Sequence, residues 1–177
     1  GITLFAGETF TQCPLTVDHA VLLDMIHNIK CGLITDGTAV GMGIANAVTR
    51  LKDSKAKSKV IILLTDGTNN KGDISPMTAA EIAKSFGIRV YTIGVGTNGM
   101  APYPYPVGNT VQYVSMPVEI DEKTLTEIAG TTDGNYFRAT SNSKLKEVYE
   151  EIDKLEKTKL NVKEYSKRDE EYHWFAL

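Results

Sequence analysis

Excess positive charge is the first thing that this chain lacks. Its 19 lysines and arginines are outnumbered by 22 aspartates and glutamates, which leaves a net charge of -3. Nucleic acids and anionic membranes are bound through clustered positive charge, so neither is expected as a partner. Cysteine is also scarce, because only Cys13 and Cys31 are present and their spacing matches no metal-binding motif. We expect two buried free thiols, with one disulfide as the alternative.

Long apolar runs and recognisable catalytic groupings are missing as well. No apolar stretch approaches the roughly 18 to 20 residues of a membrane-spanning helix. No pairing of Ser, His and Asp, of Cys and His, or of two carboxylates at catalytic spacing can be read from the sequence. The apolar fraction of 42% still suffices for a packed core in a chain of 177 residues. The sequence therefore predicts a folded domain that is not an enzyme.

The most informative stretch is Lys-Val-Ile-Ile-Leu-Leu-Thr-Asp-Gly at residues 59–67. Its five consecutive apolar residues predict a strand that is buried on both faces, as in the middle of a parallel sheet. Ligands of open α/β sheets bind outside the carboxyl ends of the strands, and Asp66 is expected at such an end. The alternative is that Asp66 only forms a turn with Gly67.

Strand and helix patterns alternate along the chain. They predict an α/β fold with a doubly wound, mostly parallel sheet and helices on both of its faces. The predicted strands are 2–5, 9–13, 60–64, 88–93, 111–114 and 136–139, and the predicted helices are 21–30, 39–51, 78–86, 122–129 and a long one from a Ser143 cap to about Lys159. The proline- and tyrosine-rich segment 100–109 is expected to be a surface loop and a candidate contact surface.

A glycine pattern at residues 94–99 has to be weighed as a nucleotide site. The run Gly-Val-Gly-Thr-Asn-Gly matches the motif of dinucleotide-binding folds. That motif needs a helix directly after the glycines, whose N-terminus receives the pyrophosphate. The prolines of segment 100–109 cannot open a helix, so no nucleotide site is expected.

Two oxygen-bearing side chains are expected to meet at the carboxyl end of the sheet. Thr38 lies in an Asp-Gly-Thr loop before a glycine-rich helix, and Asp66 follows the central strand. Hydroxyl and carboxylate oxygens suit a hard divalent cation, Mg²⁺, Mn²⁺ or Ca²⁺, whose other positions are open to water and a partner's carboxylate. The alternative for Thr38 is that it is only the N-cap of the helix.

Three blocks of this sequence resemble signatures of the von Willebrand factor A domain family, in the family's order. They are Asp-Gly-Thr-Ala-Val-Gly at 36–41, Val-Ile-Ile-Leu-Leu-Thr-Asp-Gly at 60–67 and Arg-Val-Tyr-Thr-Ile-Gly-Val-Gly at 89–96. Blocks at 5–16, 51–59 and 117–122 are similar to the bacterial aerotolerance (Bat) proteins, nearest the A-type member. The resemblance covers essentially the whole chain and implies a metal-ion-dependent adhesion site at the carboxyl end of the sheet.

The resemblance also implies which residues hold the metal. In the family, an Asp and two Ser come from a D-x-S-x-S loop after the first strand, a Thr from a second loop and an Asp from a third. Thr38 and Asp66 match the last two. The D-x-S-x-S strand is absent from this sequence, which starts at the position of the family's second strand. The divalent cation is therefore expected in the full-length protein, with weak binding or none in this chain.

Partners and location are implied in the same way. Relatives are anchored in the bacterial inner membrane by helices that flank a soluble domain, which we expect on the periplasmic side. Their implied partners are other Bat-type proteins and a MoxR-type AAA+ ATPase, in a role linked to aerotolerance or stress response. The domain is expected to span 1–159, and the segment 160–177, with Trp174 and Phe175, is expected to be a juxtamembrane tail.

The absent strand has a structural consequence. In the family's strand order it lies between residues 2–5 and the central strand at 60–64, so its absence predicts a slot flanked by unpaired backbone groups. The slot could be closed by direct pairing of the hairpin with the central strand, by a strand borrowed from a second chain, or by a segment outside this sequence.

Two other functions remain as alternatives. In the first, Asp66 is the nucleophile of a phospho-acceptor or phosphatase-like α/β enzyme. In the second, the domain is purely structural and its metal site is vestigial. A stable phosphoryl adduct at Asp66 would identify the first, and a lack of metal-linked partner binding would identify the second.

Overall fold

The computed structural model describes residues 1–30, 32, 34–96, 99–107, 110–118 and 120–172. Helices and strands alternate over residues 40–95 and again over 122–172, as predicted. The elements are β1 (Ile2–Phe5), β2 (Thr9–Cys13), α1 (His19–His27), α2 (Val40–Leu51), β3 (Lys59–Thr65), α3 (Pro76–Ser85), β4 (Ile88–Val95), β5 (Gly99–Val107), β6 (Thr110–Val118), α4 (Glu122–Thr131), β7 (Tyr136–Ala139) and α5 (Asn142–Tyr172). None of the helices in these ranges combines the length and the apolar character needed to cross a membrane.

A parallel sheet in the order β3-β4-β7 forms the centre of the domain. Its middle strand, β4, is almost fully buried, as its apolar sequence predicts. Alternate residues of β3 point into two different cores. Ile61 and Leu63 pack with α2, α3 and α4, whereas Ile62 and Leu64 pack with α5 on the other face. The predicted α/β class, with helices on both faces of a parallel sheet, is confirmed.

The amino-terminal hairpin does not join this sheet. Strands β1 and β2 pair antiparallel and form a two-stranded sheet of their own. A cavity of about 920 Å³ lies between the hairpin and the central sheet, and both β1 and β3 line it. The predicted slot between residues 2–5 and 60–64 is therefore present, and we use the name slot for this cavity. One of the three alternatives was that β1 pairs directly with β3 and closes the slot. This alternative is wrong, because the two strands do not pair.

Two helix starts differ from the sequence-based predictions. Helix α2 begins at Val40, and its N-cap residue, Ala39, provides no side-chain cap. The alternative that Thr38 is the N-cap is therefore wrong. At α5, the Ser141 hydroxyl accepts a hydrogen bond from the Lys144 N–H at 3.2 Å, so Ser141 takes the capping role predicted for Ser143.

The last helix also extends further than its apolar stripe predicted. The backbone of α5 continues to Tyr172, across the predicted domain boundary after Lys159. Lysine and glutamate, which dominate this part, are good helix formers, so the helix does not need an apolar face to continue. The juxtamembrane role of 160–177 stays a prediction. Trp174 and Phe175, like Cys31, lie outside the described residues, whereas Cys13 is buried and free as expected.

Segment 100–109 was predicted as a loop, and this is wrong for its described residues. The backbone of β5 pairs antiparallel with β6 along its whole length, and β6 is longer than the predicted strand 111–114. Proline disfavours strands because it lacks an N–H, but Pro102, Pro104 and Pro106 alternate along β5. Alternating prolines leave intact the hydrogen bonds of the residues between them. As expected, no helix follows the glycines at 94–99, because Gly99 begins β5.

Helix α5 is tied to the amino end of the central sheet by the carboxylate of Glu156. One oxygen of Glu156 accepts hydrogen bonds from the Arg89 guanidinium and from the Tyr91 hydroxyl, the latter at 2.7 Å. The other oxygen accepts one from the Ser58 hydroxyl at 2.8 Å. Burial and these carboxylate contacts raise the pKa of Tyr91 to about 12. Burial alone would raise the pKa of Glu156, but the hydrogen bonds from Tyr91, Ser58 and Arg89 outweigh it and lower that pKa.

We predict that Glu156→Gln destabilises the domain at neutral pH by about 1 to 3 kcal/mol, the range of a hydrogen-bonded charged group. The folded-state pKa of Glu156 is below its unfolded value, so its contribution is present above the unfolded pKa and is lost as the pH falls through the folded pKa. Urea unfolding at pH 7 and at stepwise lower pH should show the difference between the two proteins shrinking.

The matched control is Glu147→Gln, because Glu147 pairs with Lys144 on the exposed face of the same helix. We expect no measurable change from it at any pH. A Glu156→Gln penalty that stayed constant as the pH fell would show that shape, and not charge, anchors α5.

Candidate functional site

The structure brings Thr38 and Asp66, the two predicted metal ligands, to one place. Thr38 lies in the loop before α2, and Asp66 directly follows β3. A Cβ atom built on Gly67, the residue after Asp66, would stand 3.3 Å from Thr38 Oγ1. Both residues also line the same end of the slot, together with Thr65. The carboxyl end of the central strand is thus the meeting point that the sequence predicted.

Among the described residues, neither the Thr38 hydroxyl nor the Asp66 carboxylate has a hydrogen-bond or ion-pair partner. The hydrogen bonds of Thr38 within the described residues involve its backbone N–H and carbonyl, and none involves its hydroxyl. Asp66 is exposed, and its carboxylate has no hydrogen bond or ion pair in the described part of the chain. A strand-end carboxylate that only turned the chain would bond to the turn. Instead, the Thr65 hydroxyl fills that role by accepting a hydrogen bond from the Gly67 N–H at 3.3 Å.

Two asparagines that sequence reasoning missed hold the loops together. Asn70 Oδ1 accepts a hydrogen bond from the Thr38 N–H at 2.8 Å, and the Thr38 carbonyl accepts one from the Asn70 N–H at 3.0 Å. Asn69 Oδ1 accepts from the Val40 N–H at 2.9 Å and so caps α2 from another loop. The only signal in the sequence was an Asn-Asn pair after Thr-Asp-Gly-Thr. The pair predicts a turn, but its partners lie about thirty residues away and could not be read.

The loop of Thr38 is also anchored from the side of β1. The Ala39 N–H donates to the Ala6 carbonyl at 2.7 Å, and the Gly7 N–H donates to the Thr35 carbonyl at 2.7 Å. Gly37 has φ +135°, a conformation that favours glycine, and this residue sets the turn into Thr38. The backbone of Thr38 is therefore held by contacts from two sides.

The donors present here are of the kind that binds a divalent cation, but they are too few to hold one. Carboxylate and hydroxyl oxygens are the ligands that Mg²⁺, Mn²⁺ and Ca²⁺ prefer. Across the described residues, however, no three His, Cys, Asp or Glu side chains come together as a group that could hold a metal. Asp36 and Asp73, the nearest acidic residues in the two loops, do not complete such a group. The metal-ligand roles of Thr38 and Asp66 therefore stay a prediction, and the described residues do not complete a site around them.

Comparison with known proteins is consistent with this geometry. The sequence model of the von Willebrand factor type A domain matches residues 1–151. The crystal structure of BatB, a conserved hypothetical protein from Bacteroides thetaiotaomicron, has a TM-score of 0.73 and 34% identity, covering 88% of this chain and 78% of that one. An aerotolerance-related membrane protein from Bacteroides fragilis has a TM-score of 0.70 and 30% identity, covering 86% and 77%.

A third structure shows a metal in such a domain. Proximal thread matrix protein 1 from the mussel byssus, in a form with a zinc-occupied MIDAS motif, has a TM-score of 0.63 and 27% identity, covering 86% of this chain and 33% of that one. Among sequences, a UPF0353 protein of Mycolicibacterium paratuberculosis is 36% identical in an alignment of 164 positions that covers 84% of this chain and 45% of that protein. The chain spans about half the length of the curated relatives that it matches.

We predict that Asp66→Ala leaves the free energy of unfolding within about 0.5 kcal/mol of the parent value, because Asp66 is exposed and makes no contact that the fold needs. Leu63→Ala, three residues earlier and buried, should cost about 2 to 5 kcal/mol through the cavity that it leaves. Urea unfolding followed by circular dichroism measures both. If Asp66→Ala unfolded the domain, Asp66 would be a structural turn residue.

Proposed function

This chain belongs to the von Willebrand factor type A domain family, and we propose that it is a metal-dependent protein-interaction domain of a bacterial cell-envelope protein. Domains of this family mediate protein interactions and bind divalent metal. One observation carries the proposal for this chain. Thr38 and Asp66 line the same cavity near the carboxyl end of β3, and neither the hydroxyl nor the carboxylate has a hydrogen-bond partner among the described residues.

The chemistry of the two side chains suggests how binding would depend on metal. Without a cation, the exposed charge of Asp66 repels an acidic group on a partner. A cation held by Thr38 and Asp66 reverses the sign of the local charge and leaves positions for a partner's carboxylate. The hydrogen bonds between Thr38 and Asn70 hold the backbone of the Thr38 loop, so little backbone ordering is needed when the cation binds.

The cellular setting is proposed from the relatives. A related structure is described as an aerotolerance-related membrane protein, and another as BatB. By analogy, we place this domain in a Bat-type protein that is anchored in the inner membrane, with the domain on the periplasmic side and 160–177 leading towards the anchor. The proposed partners are other Bat-type proteins and a MoxR-type AAA+ ATPase, with a role in aerotolerance or stress response.

An enzymatic role for Asp66 has less support. A phosphoryl-accepting aspartate works with further carboxylates that hold a cation, and the described residues do not supply such a group around Asp66. Incubation with acetyl phosphate followed by mass spectrometry tests this alternative. A stable adduct on Asp66 would replace the interaction role with a phosphoryl-transfer role.

We predict that this chain alone binds Mg²⁺, Mn²⁺ or Ca²⁺ with a dissociation constant no tighter than about millimolar, the weak end for calcium modules. Two protein ligands leave most of the coordination shell to water. Isothermal calorimetry measures this, and Asp66→Asn should abolish what binding there is. Micromolar binding would mean that further ligands, such as Asp36 or Asp73, have been overlooked.

We also predict that the full-length protein retains a set of envelope proteins in Mg²⁺, loses them with chelator and regains them when Mg²⁺ is restored. Thr38→Val and Asp66→Asn remove one metal ligand each while preserving side-chain shape, and each should abolish the retention. Asp73→Asn, in the same loop region, is the matched control and should keep it. Retention that is insensitive to chelator would contradict a metal-dependent function and favour a vestigial site.

A further inference from the structure

The hairpin of β5 and β6 has no part in the proposed function as stated so far. Its two strands of nine residues each pair only with one another, as a two-stranded sheet of their own. A strand of nine residues is roughly 30 Å long, so the hairpin is long for a domain of this size. We call residues 99–118 the ribbon.

The ribbon contains no charged residue. In the sequence, no Lys, Arg, Asp or Glu lies between Arg89 and Glu119, although charged residues make up 23% of the chain. Their absence is expected in β4, which is almost fully buried. Exposed strands, in contrast, usually carry charged side chains that keep them soluble and separate. An uncharged sequence in the ribbon therefore calls for an explanation other than burial.

The described side chains of the ribbon are exposed. They are those of Thr110, Gln112, Tyr113 and Val114. Tyr113 is 72% exposed, more than any other aromatic side chain among the described residues, and Val114 is 47% exposed. Contact surfaces between proteins are enriched in tyrosine and depleted of charged residues, as this stretch is. The composition and the exposure together indicate a surface that binds another protein.

The base of the ribbon adjoins the candidate metal site. Strand β4 ends at Val95, and its Gly94 pairs in register with Thr65, the residue before Asp66. Where the chain returns from the ribbon, Ile120 is buried, and its Cγ2 atom lies 3.0 Å from the position of a Cβ on Gly94. The chain thus leaves for the ribbon and returns from it beside the strand end that carries Asp66.

The direction of α5 favours a protein over a lipid surface as the ligand of the ribbon. Helix α5 begins after β7, at the carboxyl end of the sheet, and at Glu156 it has reached the amino end, where it bonds to Ser58 and Arg89. Residues 160–177, which we proposed to lead to a membrane anchor, follow from that end. The ribbon starts from the opposite end of the sheet, away from the proposed anchor.

We propose that the ribbon binds an uncharged, apolar surface of the same protein partner whose carboxylate binds at the metal site. This inference rests on the proposed function, because the carboxylate is the one that reaches the cation at Thr38 and Asp66. The matching surface of the partner is an Asp or Glu beside a patch of apolar and aromatic side chains. A charged group facing the ribbon would lose its hydration without gaining an ion pair, so such partners are disfavoured.

The two parts of this surface have different roles. A cation accepts the carboxylate of any acidic side chain that can reach it, so the metal site by itself distinguishes poorly between partners. The ribbon accepts only what suits an uncharged aromatic surface. Specificity between partners is a difference of affinities, and here it comes from the ribbon.

The test places the photoreactive aromatic amino acid p-benzoylphenylalanine at position 113 of the full-length protein in cells, where the exposure of Tyr113 leaves room for it. Illumination should give one main adduct with another protein, and mass spectrometry should locate it in a segment without charged residues. The matched control has the same amino acid in place of Phe86, an exposed aromatic residue just before β4 at the amino end of the sheet. It should not give this adduct. An adduct on lipid, on a second copy of the chain or on a charged segment overturns the proposal, and so does the lack of any adduct.

Adding Asp66→Asn to the crosslinking protein separates this inference from the proposed function. If both surfaces bind one partner, losing a metal ligand should lower the yield of the adduct about tenfold or more. An unchanged yield overturns the metal dependence and the shared partner, and leaves the ribbon as a contact surface in its own right. Chelator-sensitive retention of envelope proteins without an adduct at position 113 overturns the ribbon and leaves the proposed function intact.

A charged substitution completes the test. Tyr113→Lys should reduce retention of the crosslinked protein in Mg²⁺ about tenfold or more, whereas Phe86→Lys should leave it unchanged. Both side chains are exposed, and circular dichroism establishes that both variants are folded. If Tyr113→Lys does not fold, Val114→Lys makes the same change at the neighbouring exposed position. A folded variant with a lysine on the ribbon that retains the partner as well as the parent protein overturns the proposal.

Discussion

The packing of α2 against two separate sheets is the constraint on which the rest of the structure depends. On one side, Gly43 lies against the ring of Phe5, and on the other, Ile44 and Val48 belong to the core under β3. Gly41 adds to this close fit, because a Cβ at that position would stand 2.0 Å from the Ile74 carbonyl oxygen. One helix therefore holds β1 beside β3 without hydrogen bonds between them. Because Thr38 lies immediately before Ala39, the N-cap residue of α2, the same contact positions the backbone of Thr38.

The acidic side chains at the two ends of the central sheet have different surroundings. At the amino end, the carboxylate of Glu156 accepts hydrogen bonds from Ser58, Arg89 and Tyr91. These hydrogen bonds attach α5 to the sheet. At the carboxyl end, the carboxylate of Asp66 has no donor within the described residues and is open to solvent. The fold thus satisfies the acidic group that stabilises it, whereas Asp66, the predicted ligand, has no donor among the described residues.

The sequence predicted the parts of the fold that depend on local pattern. The apolar runs of β3 and β4 could be read directly. The proximity of Thr38 and Asp66 could be expected from the Asp-Gly-Thr loop before a glycine-rich helix and from the Thr-Asp-Gly at the end of the central strand. The contacts between residues that are far apart in the sequence could not be predicted. Asn69 caps α2 across about thirty residues, and no local pattern gives that pairing. The β5–β6 hairpin was missed because three prolines argue against a strand unless its partner's register is known.

The three prolines of β5 limit strand pairing between this edge and other proteins. Since β5 keeps its pairing with β6 along its whole length, Pro102, Pro104 and Pro106 must occupy the positions whose nitrogens face away from β6. The outer edge of β5 therefore carries no N–H at these positions, and a passing strand finds no donors there. That edge of β5 is therefore kept from pairing with a strand of another molecule by the covalent structure of proline.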